Sequence, residues 1–492
     1  MRLHELIARL PQPIHTPPLP DVEVVGVQED SRLIRPGDLF IARRGVGVDG
    51  KRFIHAASAA GAVAVVSDAA VEEAPLPVIV VRDAASAASI LANAVLGDPS
   101  HYMKVVGITG TNGKTTTTFI LRHLLRRAGI ACGLIGTCEI DDGRRSLPAA
   151  MTTPGPVTLA EILAAMRENG CEAVAMETSS HALDQGRVAG VTCAAAGFTN
   201  LTGDHLDYHR TMDDYAAAKA RLFMHLPAGA AAAVNCCDPW SDRLLKHCAG
   251  RAVRFSAEGP CRGGERADWA AVDAEISAAG SRFLLRSPGG EAAVSMGLVG
   301  RHNIQNALCA ASIAGEAFGM PVHEIAAGLA DAQAAPGRLQ RVEAGQKFGV
   351  LVDYAHTDDA LANVLSALRP ITQGRLRVVF GCGGDRDPTK RPRMAAVAEQ
   401  WADEIYVTSD NPRTERPEAI LEQIVTGFRS KRPSLVETDR RVAIHRAISD
   451  ARERDVVLIA GKGHENYQII GDVKHPFDDV EEARKALAGI DA

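Results

Sequence analysis

Apolar and polar residues come in short blocks along this chain, and the period of the blocks changes from strand-like to helix-like. Met103 to Ile108 is an apolar run broken only by Lys104, the pattern of a strand covered on both faces. A polar, glycine-bearing loop follows, Thr109-Gly110-Thr111-Asn112-Gly113-Lys114-Thr115-Thr116. Beyond it, Leu121, Leu124, Leu125 and Ala128 recur at i, i+3, i+4 and i+7, one face of a helix. Ala173–Met176 predicts another strand, closed by Glu177, and Tyr215–Phe223 predicts a helix. Late in the chain Val378-Val379-Phe380, Ile405-Tyr406-Val407 and Val456–Ile459 predict three strands separated by helical stretches. This alternation predicts an α/β fold with a mostly parallel, doubly wound sheet. Each late strand runs directly into polar or glycine-rich residues, and ligands of open α/β sheets bind at such carboxyl ends.

Turn signals divide the chain into three expected domains, 1–99, 100–335 and 336–492, with Ala334-Ala335-Pro336-Gly337 as a hinge. The length of 492 residues fits two to four domains at roughly 100–200 residues each. The net charge of -6 is spread without blocks, so neither nucleic acid nor an anionic membrane is expected as a partner. No run approaches the roughly 18 apolar residues of a membrane span. The first apolar stretch is interrupted by Glu5 and Arg9 and stops at Pro11, so no signal peptide is expected. The 10 cysteines show no CxxC spacing, which predicts reduced, partly buried thiols rather than a zinc site or a disulfide framework. A cytoplasmic location is expected.

The block from Met103 to Ala128 has the order strand, glycine turn, helix. Backbone N–H groups and a helix N-terminus then face an anion, and glycine permits its close approach. Lys114 would neutralise the β- and γ-phosphates of ATP, and the Thr115 hydroxyl would bind magnesium. Ile108 stands where the strict phosphate-loop pattern requires its first glycine. Glu177, at a strand end, supplies a carboxylate suited to magnesium, or else an acid capping the next helix.

Gly110-Thr-Asn-Gly-Lys-Thr-Thr116 resembles the variant phosphate loop of the Mur ligases and of their folylpolyglutamate synthetase relatives. Further matching strings follow in order: Met176-Glu-Thr-Ser-Ser-His181, Thr199-Asn-Leu201, Asp204-His-Leu-Asp207, Gly300-Arg-His-Asn303, Pro336-Gly-Arg338 and Asp353-Tyr-Ala-His356. The resemblance covers essentially the whole chain. Asp358 and Arg210 depart from the family pattern, where proline and glycine are usual. The resemblance implies an N-terminal UDP-binding α/β domain, a central ATPase-like domain with a mostly parallel sheet, and a C-terminal Rossmann-like domain. Asp30-Ser31-Arg32 and Pro36–Phe40 resemble the UDP-binding domain, and Asp410-Asn411-Pro412-Arg413 resembles the signature of members that select diaminopimelate over lysine.

The activity so implied is ATP-dependent addition of meso-diaminopimelate to the D-glutamyl γ-carboxylate of a UDP-linked muramoyl dipeptide, through an acyl phosphate, in peptidoglycan synthesis. The family assigns ATP to Gly110–Thr116, Asn303 (adenine), Asp353 (ribose) and Arg338 (γ-phosphate). It makes His205 a second magnesium ligand and Lys219 a carbamylated lysine for another ion. It directs the UDP-muramoyl dipeptide to Ser31, Gly45, Val46, Gly47, Val48, Thr152, Thr153, Ser179, Gln185 and Arg187. Diaminopimelate falls to Arg386, Asp410, Asn411, Pro412, Arg413, Gly461 and Glu465. Arg413 can grip the distal carboxylate bidentately, and L-lysine would leave it unpaired. The expected catalytic set is Lys114, Lys219, Arg338 and His205, with closure about Pro336-Gly337 before chemistry. A monomer is expected. Another ligase of the superfamily, a nucleotide-binding switch and a dehydrogenase are the competing classes. Gly381-Cys-Gly-Gly384 lacks the spacing of a dinucleotide fingerprint.

Overall fold

The computed structural model describes residues 1–11, 13–45 and 48–489. Four parallel strands lie side by side in chain order: β1 (Gly26–Gln28), β2 (Asp38–Ala42), β3 (Ala64–Ser67) and β4 (Val78–Val80). Strand alternation sends Leu39 and Ile41 into one core with Leu91 of the helix Ala84–Val95. Phe40 and Ala42 enter another with Ile54 and Ala57. Both faces are covered, which is why β2 after Asp38 reads as an unbroken apolar run, Leu39 to Ala42.

The second sheet holds β5 (Lys104–Thr109), β6 (Cys132–Ile135), β7 (Glu139–Asp141), β8 (Ser146–Pro148), β9 (Ala173–Glu177), β10 (Cys193–Phe198), β11 (Ala231–Asn235) and β12 (Arg251–Ser256). Their order is β12-β11-β10-β5-β9-β6-β7-β8, parallel except for the antiparallel β6-β7-β8 edge. The sheet order continues past β12 through β13 (Trp269–Ser277), β14 (Gly280–Ser287) and β15 (Gly290–Met296). From β5 the chain adds β6 and β9 on one side and then β10 on the other. The carboxyl end of β5 is therefore a topological switch point, where α/β sheets open a crevice for ligands. The expected helix runs Lys114–Arg127, with Leu121, Leu124 and Leu125 fully buried. Each such leucine contributes about 1.5–3 kcal/mol. Ala128, expected on that face, is instead an exposed C-cap, because Gly129 turns the chain with φ 81°.

The third sheet has the order β16-β17-β21-β18-β19-β20, from β16 (Gln340–Arg341), β17 (Gly349–Asp353), β18 (Leu376–Phe380), β19 (Glu404–Thr408), β20 (Leu435–Glu437) and β21 (Val456–Ala460). All pairs except β16–β17 are parallel. Leu376, Val378 and Phe380 of β18 face helices Asp358–Leu368, Lys390–Trp401 and Pro417–Val425. Val379 faces helices Arg440–Ser449 and Asp479–Ala488. The sheet is doubly wound as expected. A hairpin, β22 (Tyr467–Ile470) with β23 (Val473–Pro476), follows it.

By compactness the chain forms two units. The first is Met1–Ala270 with Arg286–Gly290 and Gln305–Ile325, and the second is Ala271–Leu285, Glu291–Ile304 and Ala326–Ala492. The first sheet falls into the first unit because Leu91 shares its core with Val157 and Ala160 of the helix Pro156–Glu168. Arg167 of that helix also donates to the carbonyls of Leu96 and Gly97. Among the described residues no helix is long and apolar enough to cross a membrane.

The thiol expectation needs one correction. Cys236 and Cys261 form a disulfide, their Cα atoms 4.9 Å apart, and the other eight cysteines are in no disulfide. The loop after β12 carries Cys261 back to the end of β11, a juxtaposition that sequence spacing does not encode.

Candidate active site

The loop after β5 is held in place by its neighbours, with Thr111 N donating to Asn200 O at 2.8 Å. Gly110 has φ 150°, and a Cβ there would lie 1.9 Å from Thr199 Oγ1, so no other residue fits. Asn112 N donates to Asn200 Oδ1 at 3.0 Å, and Thr199 Oγ1 donates to Asn112 O at 2.6 Å. The Thr111 hydroxyl donates to Thr202 O and meets the Tyr215 hydroxyl at 3.3 Å. Gly113 caps the helix that starts at Lys114, whose ammonium donates to Gly110 O and Thr111 O, both at 2.9 Å. Thr115 and Thr116 are buried in the first helical turn.

Glu177 is fully buried at the end of β9, level with Ile108 of β5. It accepts from Thr115 Oγ1 at 3.0 Å, Thr137 N at 2.7 Å and Thr137 Oγ1 at 3.1 Å. The carboxylate expected across from the phosphate loop is there, and a hydroxyl with a carboxylate is a hard-oxygen donor set suited to magnesium. Lys219 is buried, its amine 2.9 Å from Gly110 O and 4.3 Å from the Tyr215 ring. Burial, reinforced by the Lys114 charge, holds its pKa well below that of an ordinary lysine. His205 is half exposed with φ 54°. Its ring lies 4.8 Å from His181, and Nε2 lies 3.6 Å from Asp204. Among the described residues no three His, Cys, Asp or Glu side chains cluster as a metal site.

The residues expected around the sugar and peptide form one hydrogen-bonded group. Thr153 Oγ1 donates to Glu177 O at 2.8 Å and accepts from Ser179 N. Thr152 meets Thr137 at 3.0 Å. Arg187 donates to Thr153 O at 2.8 Å and to Gln185 Oε1 at 2.7 Å. Burial, followed by the Arg43 charge, lowers the Arg187 pKa. Ser31 opens a short 3-10 turn after β1, and Gly45 N bonds Val48 O after β2, so both lie at carboxyl ends of the first sheet. Val46 and Gly47 lie outside the described residues.

In the second unit, Asp353 ends β17 and accepts from Leu339 N at 2.7 Å and Ala355 N at 2.8 Å. Burial raises its pKa against the pull of Arg338 and those two amides. The Arg338 guanidinium stacks 5.0 Å from the Tyr354 ring, with its buried Nε lacking a hydrogen-bond partner. Asn303 donates to Val299 O at 2.9 Å.

The Asp410–Arg413 turn follows β19, and the hairpin β22–β23 pins it. Ile469 N donates to Asn411 Oδ1 at 2.9 Å, Gln468 Nε2 to Asp410 O at 2.7 Å, and Arg413 N to Ile469 O at 3.0 Å. Arg413 adopts φ 52° and donates to Gly384 O at 2.8 Å, while Arg386 is exposed nearby in sequence on the loop after β18. Asn411 Nδ2 donates to Glu465 Oε2 at 2.8 Å. A Cβ on Gly461, which has φ 119°, would come 3.3 Å from Asp410 Oδ2. Asp410 is nine-tenths buried with Oδ1 lacking a hydrogen-bond partner. Thus Asp410, Asn411, Gly461 and Glu465 converge as expected.

Sequence reasoning passed over three buried cations here. Lys462 lies between Asn411 and Glu465. Arg391 ties Glu415 to Gly383 O. Arg440 pairs with Asp479 and donates to Ser409 O and Ala460 O, at the ends of β19 and β21. Lys462 had a signal, since it sits between the strand-end residues Gly461 and Glu465.

A glycine-bearing strand–loop–helix turn at a sheet switch point, with carboxylates and cations clustered at another sheet's strand ends, is the arrangement of an ATP-dependent ligase of α/β architecture. The chain belongs to the Mur ligase family. Residues 23–96 match the family's catalytic domain, 108–314 the Mur ligase middle domain and 337–463 the Mur ligase glutamate ligase domain. A relative from Gloeobacter violaceus named UDP-N-acetylmuramoyl-L-alanyl-D-glutamate–2,6-diaminopimelate ligase is 45% identical, over 99% of this chain and 98% of its own. One of the same name from Geobacillus kaustophilus is 44% identical over 99% of each. A solved structure bearing that name superposes with a TM-score of 0.72 at 35% identity, covering 95% of this chain and 96% of the other. The MurF ligase of Thermotoga maritima in complex with ADP shares the fold, with a TM-score of 0.61 at 20% identity, covering 96% of this chain and all (100%) of the other. The three-domain Mur ligase architecture is therefore that of this chain.

Proposed function

We propose that this ligase joins meso-diaminopimelate to the D-glutamyl γ-carboxylate of UDP-N-acetylmuramoyl-L-alanyl-D-glutamate, with ATP consumed to ADP and phosphate, in peptidoglycan synthesis. The observation that carries the reading is the clamp after β19 and β21: an Asp410 oxygen with no hydrogen-bond partner, together with Asn411, Glu465 and Arg413, offers places for an ammonium and a carboxylate. Full-length relatives bearing that activity in their names support it. The domains take the boundaries 1–99, 100–335 and 336–492, and the enzyme works as a cytoplasmic monomer.

ATP lies on Gly110–Thr116, with Lys114 exchanging its two loop carbonyls for phosphate oxygens. Asn303, Asp353 and Arg338 serve adenine, ribose and γ-phosphate. A γ-carboxylate oxygen of the dipeptide attacks the γ-phosphorus and ADP leaves. The amine of diaminopimelate then attacks the acyl carbon, and phosphate departs with the C–O electron pair. Thr152, Thr153, Ser179, Gln185 and Arg187 orient the dipeptide, with Ser31 and the Gly45–Val48 loop at its uridine end. Thr115, Glu177, His205 and Lys219 as a carbamate would hold magnesium, which supplies positive charge at the phosphates. Arg413 and Arg386 hold the distal carboxylate of the amino acid, and Asp410, Asn411 and Glu465 its ammonium.

The test is phosphate release with ATP and the UDP-muramoyl dipeptide, with no amino acid, meso-diaminopimelate or L-lysine. Release is expected only with diaminopimelate, and Arg413→Ala should lower kcat/KM for it by about 10²-fold or more, as expected for a lost charged hydrogen-bonding partner. Equal rates with lysine would remove the specificity. Release independent of any amino acid would remove the ligase reaction.

A further inference from the structure

Lys462 follows Gly461 at the end of β21 and has no exposed surface. A buried ammonium persists only when charged and polar partners offset the lost hydration. Its partners are three side chains of the amino-acid clamp: Asn411 Oδ1 at 3.1 Å, Glu465 Oε2 at 3.3 Å and Asp410 Oδ1 at 3.7 Å. The Tyr467 ring covers it at 5.6 Å. We propose that Lys462 is a positioning residue that sets the charge of this clamp, leaving it one open place for a substrate ammonium.

Two carboxylates, Asp410 and Glu465, face one internal cation, so one negative charge is left over. Arg440 does not alter the balance, because Asp479 neutralises it in a pair with both side chains fully buried. The leftover charge has a location. Lys462 is within hydrogen-bond distance of Glu465, but 3.7 Å from Asp410 Oδ1 is too long for a hydrogen bond. That oxygen is buried and lacks a hydrogen-bond partner, the one such acceptor of the clamp among the described residues, and the incoming ammonium is assigned to it. Lys462 also fixes the orientation of the Asn411 amide. Its ammonium and Ile469 N both point at Oδ1, which turns Nδ2 toward Glu465. Removing the cation takes away one of the two donors at Oδ1 and leaves the Asp410 and Glu465 charges without the cation they share. This inference rests on the reading of the clamp as the diaminopimelate site.

The experiment is steady-state kinetics of Lys462→Met and Lys462→Gln on the full chain, alone and combined with Glu465→Gln. The KM for meso-diaminopimelate is expected to rise about tenfold or more, with the KM for ATP and for the dipeptide held within about twofold. In the Glu465→Gln background the same substitution should cost less than about threefold, because the cation then has no carboxylate there to hold. Full additivity, equal rises in all three KM values, or unfolding of both Lys462 variants would assign the residue to the fold alone and overturn the proposal. A wild-type enzyme showing no diaminopimelate-dependent phosphate release would instead sink the clamp reading, whatever the variants do.

Discussion

Lys219 shows how burial changes what a side chain can do. It stands on the apolar face of the helix Met212–Met224, four residues after Tyr215 and three before Leu222, all three buried. That spacing was legible, although a lysine in such a helix reads by default as a solvated charge. Burial and the Lys114 charge depress its pKa, which favours the neutral amine. A neutral amine can add carbon dioxide, giving the anionic carbamate that the family resemblance implies. In 13C-bicarbonate the wild type is expected to show a carbamate carbon resonance that Lys219→Ala lacks. Acid reprotonates the amine, so the signal should fade as pH is lowered and not as it is raised. A spectrum identical in the two proteins would refute the modification. His205 was named from the resemblance alone, and its half-exposed ring beside Asp204 gives it no geometric support of comparable weight.

Elements were read best where periodicity and burial agree. β5, its loop and the helix Lys114–Arg127 form one legible unit, because the apolar run, the two loop glycines and the i, i+3, i+4 leucines each point to the same local structure. The hairpin β22–β23 was not read. Its residues are mostly exposed and show no apolar alternation, yet it pins Asn411 and Arg413. The Arg440–Asp479 pair was equally invisible, since 39 residues separate partners that meet only through the fold. It joins the helices Arg440–Ser449 and Asp479–Ala488 to the ends of β19 and β21. Asp479→Asn leaves the Arg440 charge buried and uncompensated, a change worth about 3–5 kcal/mol. A lower urea midpoint, with weakened diaminopimelate binding in the surviving folded enzyme, is the expected result. An unchanged midpoint would show that Asp479 does not sustain this corner of the sheet.

Under the proposed function, labour is divided between sheets across the whole molecule. The phosphate loop, Glu177 and the dipeptide group belong to the first unit, and the amino-acid clamp belongs to the second. The doubly wound third sheet was foreseeable from the alternation of late strands and helices, and the other two domains from the family resemblance. The two compact units were not, because the helix Ala84–Val95 shares a core with Pro156–Glu168 through a few residues, Leu91 with Val157 and Ala160, that carry no distinctive pattern. The reaction has two chemical halves, and each half should answer to variants in its own unit. Hydroxylamine intercepts acyl phosphates as hydroxamates without needing the amino-acid clamp. With ATP, dipeptide and hydroxylamine, Arg413→Ala is expected to form hydroxamate within about threefold of wild type. Lys114→Ala should fall by about 10²–10³-fold, the scale of losing a group that stabilises developing negative charge. Equal loss in both variants would mean that acyl-phosphate formation already requires the clamp, and the division of the chemistry by unit would be abandoned.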